Sequence, residues 1–178
     1  MATEKILPQS FYKKSTVAVA RALLGKIIIR KKNGKVYRAR ITEVEAYLGI
    51  NDRACHTFGG RRTFRVRSMY LDGGNAYVYF IYGMYFCLNA VTRTKEHPEA
   101  VLIRAAEPLS GWSNPSPKLL SGPGRLCREL KITHRQDGHA LFKKTEKLVI
   151  ADDGLKIKKS HIDVGPRIGV AYAGPAQH

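Results

Sequence analysis

Apolar and polar positions alternate over residues 36–48, VYRARITEVEAYL. Read with a period of two, Thr42, Val44, Ala46 and Leu48 share one face, and Ile41, Glu43, Glu45 and Tyr47 share the other. The pattern predicts a long strand. Residues 26–30 before it form a β-branched run, and Asn33-Gly34 between the two is a strong two-residue turn signal, so 26–48 reads as a hairpin. Residues 10–24 place apolar side chains at helical spacing, with Ser15 or Thr16 as a cap and Gly25 as a stop, and predict a helix. A second hairpin follows from AYVYFI and MYFCLNAV, which flank Tyr82-Gly83. Residues 100–109 predict a further strand and 124–132 a helix, with short strands around LVIA and in RIGVAYAG. Residues 49–75, rich in Gly and Arg, read as a loop with little regular structure, and SNPSPKLLSGPG as a surface loop. No repeat or linker divides the 178 residues, so residues 1–178 are expected to form one mixed α/β domain.

Charge changes the picture. Lys and Arg total 31 against 14 Asp and Glu, a net charge of +17, and residues 1–70 hold 16 basic and 4 acidic residues. A polyanionic partner follows, nucleic acid before an anionic membrane, with a merely solvated basic surface as the bland alternative. No apolar run approaches the roughly 20 residues of a membrane span. MATEKILPQS has no apolar signal core, so an intracellular protein is expected, in the cytoplasm or nucleoid if bacterial. Cys55, Cys87 and Cys127 lie far apart with no CxxC, which predicts reduced, mostly buried thiols. The six histidines lack metal spacing, and no metal site is expected.

Three features carry chemistry. Arg53, Arg61, Arg62, Arg65 and Arg67 crowd one loop, with no acid between Arg53 and Asp72. Arginine suits bidentate phosphate contact, and Gly59-Gly60 permits close backbone approach; a solvated basic loop is the competing reading. Residues 77–86 hold six aromatics: Tyr77, Tyr79, Phe80, Tyr82, Tyr85 and Phe86. A tyrosine-rich core strand would explain some of them, but Tyr82 at a hairpin tip is poorly placed for burial and well placed to wedge between bases. Finally, Glu43 and Glu45 point the same way. They are either surface carboxylates paired with arginine or a general base held in a cationic groove.

TEVEAYLG, CHTFGGRRT, YVYFIYGMYFCLN, VLIRAAEPL, SGPGRLCREL and RIGV, in this order, resemble the alkyladenine (3-methyladenine) DNA glycosylases of the mammalian and bacterial type. The matching blocks run from about residue 8 to 174. The resemblance implies a curved antiparallel sheet, open-barrel-like, with peripheral helices and a protruding β-hairpin. It implies a monofunctional base-excision-repair hydrolase that flips alkylated or deaminated purines out of duplex DNA and cleaves the N-glycosidic bond, leaving an abasic site. Family substrates include 3-methyladenine, 7-methylguanine, hypoxanthine and ethenoadenine. The partner would be double-stranded DNA containing damaged purines, the state a monomer, with no metal or organic cofactor.

By motif position, Glu45 matches the catalytic glutamate that activates water, and Arg104 the arginine that helps hold that water. Tyr47, His56 and Tyr79 match the residues that sandwich and recognise the flipped base. Asn89 matches the asparagine that crowds the 2-amino group of guanine. Tyr82 matches the intercalating tyrosine, Met84 and Tyr85 match groove contacts, and Arg61, Thr63, Arg65 and Arg67 fall on the phosphate-contacting loop. Phe64 and Val66 depart from the family, which commonly has proline and asparagine there. The loop at 110–118 is short, and relatives continue beyond the RIGVAYAG block with a further strand. A non-catalytic lesion binder on the same fold and a basic RNA-binding module are the alternatives; the second gives Glu45 no task.

Overall fold

The structure, a computed structural model, describes residues 4–177. Seven strands carry it: β1 (Lys5–Ile6), β2 (Ile27–Lys32), β3 (Lys35–Tyr47), β4 (Ala76–Ile81), β5 (Tyr85–Thr92), β6 (Glu99–Ser110) and β7 (Leu148–Asp152). They pair in the order β1-β7-β2-β3-β6-β5-β4, every pair antiparallel, in one open sheet of a mixed α/β fold. Both expected hairpins are present. Asn33 and Gly34 both have positive φ in the first, two-residue loop, the twist-compatible arrangement. The second loop has three residues, Tyr82, Gly83 and Met84, because Ile81 pairs with Tyr85; Tyr82 and Gly83 there also have positive φ.

The single helix expected over 10–24 is two short ones, α1 (Gln9–Tyr12) and α2 (Thr16–Leu23). Ser15 takes an extended backbone at φ −57°, ψ 141° and starts α2 afresh. Burial drives the break: Tyr12 and Thr16 are both turned inward, and the Thr16 hydroxyl meets Thr92 Oγ1 at 2.6 Å and donates to the Glu99 carboxylate. The later helix is α3 (Pro123–Glu129). RIGVAYAG is not a strand. It runs as turns into a kinked 3₁₀ segment, Ala171–Gln177, because Gly169 and Gly174 have positive φ and the Ile168 amide bonds a side chain instead of a neighbouring strand. β1 was not foreseen, being only two residues paired with β7.

One face of the sheet packs the main core. Val19, Ala20 and Leu23 of α2, Leu126 of α3 and Leu130 just after it meet Ile28, Ala39, Ile41, Leu88, Val101, Ile103 and Ile150. Here the strict alternation read for β3 fails. Ile41 is buried in this core together with Ala39, yet Val44 and Ala46 also pack against it. Thr42 and Glu43, adjacent in sequence, are both exposed, and the β3–β6 pairing is irregular between Ile41 and Val44. Strand β6 switches at the same level, with Val101 and Ile103 in the core followed by Ala106. Glu43, Glu45 and Tyr47 stay on the opposite face, but Ile41 does not join them. Cys55, Cys87 and Cys127 are free and buried, as expected.

Candidate active site

The face opposite the core is built from one transverse row. Tyr77 pairs with Asn89, Asn89 with Leu102, and Leu102 with Glu45, so four strands contribute one residue each to the same level. One step to either side lie Tyr79 and Cys87, which pair directly, and Tyr47, which pairs with Ala100. Period-two geometry makes all of them neighbours on one surface. The 49–75 loop closes one side through His56 and Met69, and the stretch Ile168–Val170 another. Together they enclose a cavity of about 730 Å³.

Glu45 is 7% exposed, and its carboxylate is held from three directions. Tyr47 Oη donates to Oε2 at 2.8 Å, the Ile168 amide donates to Oε1 at 2.8 Å, and Arg104 Nη1 lies 3.3 Å from Oε1. A buried carboxylate needs such partners. Arg104 is shared, since its Nε also donates to Glu43 Oε1 at 2.8 Å. The two acids therefore differ: Glu43 is an exposed partner of arginine, and Glu45 is the buried carboxylate in the pocket. Burial raises the Tyr47 phenol, and the Glu45 charge adds to the effect, so it remains a donor.

His56 Nδ1 lies 2.8 Å from Tyr77 Oη, and its ring stands edge-on to Tyr79 at 4.6 Å. Burial, then the charges of Arg65 and Arg61, push His56 down to about 4. It is a neutral, polar wall of the cavity at neutral pH. Asn89 is buried, lines the cavity and donates from Nδ2 to Tyr77 O at 3.1 Å. Among the described residues, no group of three or more His, Cys, Asp or Glu could hold a metal ion.

The cavity thus sets aromatic walls around one anchored carboxylate, with a basic loop beside it. The family model for methylpurine-DNA glycosylase matches residues 10–178. The chain belongs to the methylpurine-DNA glycosylase family. A protein from Bdellovibrio bacteriovorus is 55% identical over 173 residues, covering 96% of this chain and 90% of its own length. One from Methanocella arvoryzae is 46% identical over 95% of this chain and 86% of its own, and one from Clostridium perfringens 40% identical over 96% and 91%. All three carry 3-methyladenine DNA glycosylase in their names.

The other residues that match the family motifs lie on the β4–β5 hairpin and the arginine loop, and of them Tyr82 and Tyr85 line the cavity. Tyr82 is 80% exposed at the tip of the β4–β5 hairpin, with Met84 exposed beside it. Tyr85 packs against Gly124, where a Cβ would come within 2.8 Å of its ring. Arg61, Thr63, Arg65 and Arg67 are exposed on the loop, and Arg65 Nη2 donates to Phe80 O at 3.2 Å, tying the loop to the hairpin. Tyr82 holds φ +55°, a costly conformation for a bulky residue, with no core contact to offset it. Tyr82→Ala should therefore leave thermal stability within about 0.5 kcal/mol. A core-sized loss of about 3 kcal/mol in urea unfolding would make it a packing residue instead.

The sequence reading missed the pair that joins the walls. Arg167 binds Asp52 through both Nη atoms at 2.5 and 2.9 Å, donates to Ala46 O at 3.0 Å, and lies over the Tyr47 ring at 4.8 Å. Asp52 also accepts from the Leu48 and Ala54 amides. Burial alone would raise the Asp52 carboxyl; Arg167 and the two amides outweigh it and hold it below its usual range. The RIGV block gave the only hint, since its arginine is the one charge in that stretch.

Proposed function

We infer that the cavity is where a damaged purine, turned out of duplex DNA, loses its N-glycosidic bond. The chain is a 3-methyladenine-type DNA glycosylase, a monofunctional hydrolase of base-excision repair acting on alkylated purines. The observation that carries the reading of the site is Glu45, a lone anchored carboxylate on the floor of a tyrosine- and histidine-walled cavity.

The chemistry follows from those groups. Tyr47 on one side and His56 with Tyr79 on the other sandwich the extruded base. An alkylated purine that carries a positive charge is favoured between electron-rich rings and meets no repulsion from an uncharged His56. Extrusion costs a few kcal/mol, offset in part when Tyr82 fills the vacated stack. As the bond from C1′ to the purine nitrogen lengthens, its electrons move into the base and positive charge develops on the sugar. Glu45 stabilises that charge and takes a proton from the attacking water, whose oxygen bonds C1′; Arg104 helps hold the water. The products are a free purine and an abasic site. We take the active form to be a monomer working inside the cell.

Single-turnover release of free base from duplexes carrying 3-methyladenine, 7-methylguanine or hypoxanthine tests this reading directly. Tight lesion binding with no base released from any of them would leave a lesion binder in its place. Selectivity gives a finer check. Asn89 occupies the cavity row beside Tyr77, where its side chain narrows the space for an exocyclic group on the purine. Asn89→Ser should raise the ratio of guanine-type to adenine-type excision, at about 1 kcal/mol of stability for the lost bond to Tyr77 O. An unchanged ratio would assign Asn89 to structure alone.

A further inference from the structure

Phe64, one of the two departures from the family pattern in the arginine loop, is 82% exposed, whereas its near neighbour Val66 is buried against Cys55, Met69 and Tyr77. The loop thus sinks one apolar side chain and displays the other. It is also pinned: Tyr70 Oη donates to Arg61 O at 2.9 Å, and Arg65 bonds Phe80 O. The displayed ring is not bare. The Arg67 guanidinium covers it at 3.6 Å, and Arg62 lies over the Tyr70 ring at 3.9 Å. Between these two stacked pairs is a hollow of about 290 Å³ bounded by Arg62, Thr63, Phe64, Arg67 and Tyr70. Glu96 at Arg62 and Asp137 at 3.7 Å from Arg67 are the acids beside them.

We propose that this hollow seats one backbone nucleotide of the duplex, with its deoxyribose against the Phe64 ring and its phosphate on Arg62 and Arg67. The proposal rests on the glycosylase reading above. Two features select this occupant. The arginines call for an anion, while the ring calls for an apolar surface, and a nucleotide offers both within one sugar–phosphate unit. The loop that carries the hollow is also tied to the hairpin that carries Tyr82, through the Arg65 bond to Phe80. DNA that reaches Tyr82 passes beside this loop. The contact differs in kind from the phosphate contacts of the loop, because part of it is insensitive to salt.

The test is binding to a duplex with a tetrahydrofuran abasic analogue, which holds no base to cleave, measured by fluorescence anisotropy over a salt series. Phe64→Ala should weaken binding by roughly fivefold at every salt concentration, at the low end of aromatic stacking on nucleic acid, with the log–log slope unchanged. Phe64→Trp should bind like the parent. Arg67→Gln should flatten the slope by about 0.9. Melting temperatures should match throughout, since the ring is exposed. Binding by Phe64→Ala within twofold of the parent overturns the proposal. So does a flattened slope in that variant, which would make the ring a mere support for Arg67. A change in sedimentation with DNA binding intact would assign Phe64 to a contact between copies, and likewise overturns it. Failure of the parent itself to bind this duplex or release any base overturns the glycosylase reading, and this one with it.

Discussion

Glu45→Gln should abolish base release while leaving the affinity for lesion-bearing duplex close to that of the parent. The loss should reach two to four orders of magnitude, the usual contribution of a general base. Glutamine preserves the surroundings. Its carbonyl oxygen can accept from the Ile168 amide and Arg104 as Oε1 does now, and its amide can donate to Tyr47 Oη, which then turns from donor to acceptor. What it lacks is the ability to take a proton from water. Glu43→Gln is the comparison. Glu43 is exposed and reaches the cavity only through Arg104, so removing its charge loosens the arginine and should slow release by less than about tenfold, a loss of under 1.4 kcal/mol. Single-turnover rates for the two variants decide. Near-parental cleavage by Glu45→Gln, or a larger loss in Glu43→Gln, would place the base elsewhere.

Arg167→Met should cost about 3–5 kcal/mol of stability, because it strands the Asp52 carboxylate in a buried site. The pH dependence has a definite sign. Asp52 is held below its usual range in the folded chain, so its contribution is complete above the unfolded value of about 4 and fades as pH falls through the lower folded value. Urea denaturation of the parent and of Asp52→Asn should therefore converge below about pH 4. A gap that stays constant with pH would mean that the asparagine harms packing rather than charge. Excision should fall too, since residue 167 places the amide of Ile168 on Glu45.

Local signals carried much of the fold. Asn33-Gly34, the β-branched run before it and the aromatic runs around Tyr82-Gly83 each encode their structure within a few residues. The site was readable where it lies on one strand, as with Glu45 and Tyr47. It was not readable where distant segments meet. Asp52 and Arg167 are 115 residues apart, and nothing local marks either as the other's partner. RIGVAYAG has the composition of a strand, but its amide at Ile168 is taken by a carboxylate side chain. The pattern offers Ser15 or Thr16 as the cap of one helix over 10–24, and only burial of Tyr12 and Thr16 decides that the chain restarts at Ser15. The change of face at Thr42 depends on a matching change in β6, which no reading of β3 alone can supply.

That matching change has a consequence for how this region tolerates altered length. Ile41 opposes Ala106 and Val44 opposes Ile103, so β3 and β6 each spend two residues on the same interval and return to a common register. Removing Thr42 alone would restore simple alternation to β3, yet leave Arg104 and Ala105 together against Glu43. The arginine would lose its fixed level relative to Glu45 although every motif residue remained. Removing one residue from each strand would keep the ladder aligned. Single-codon deletions here should thus be damaging one at a time and milder in compensating pairs, a form of genetic dependence between two stretches some sixty residues apart.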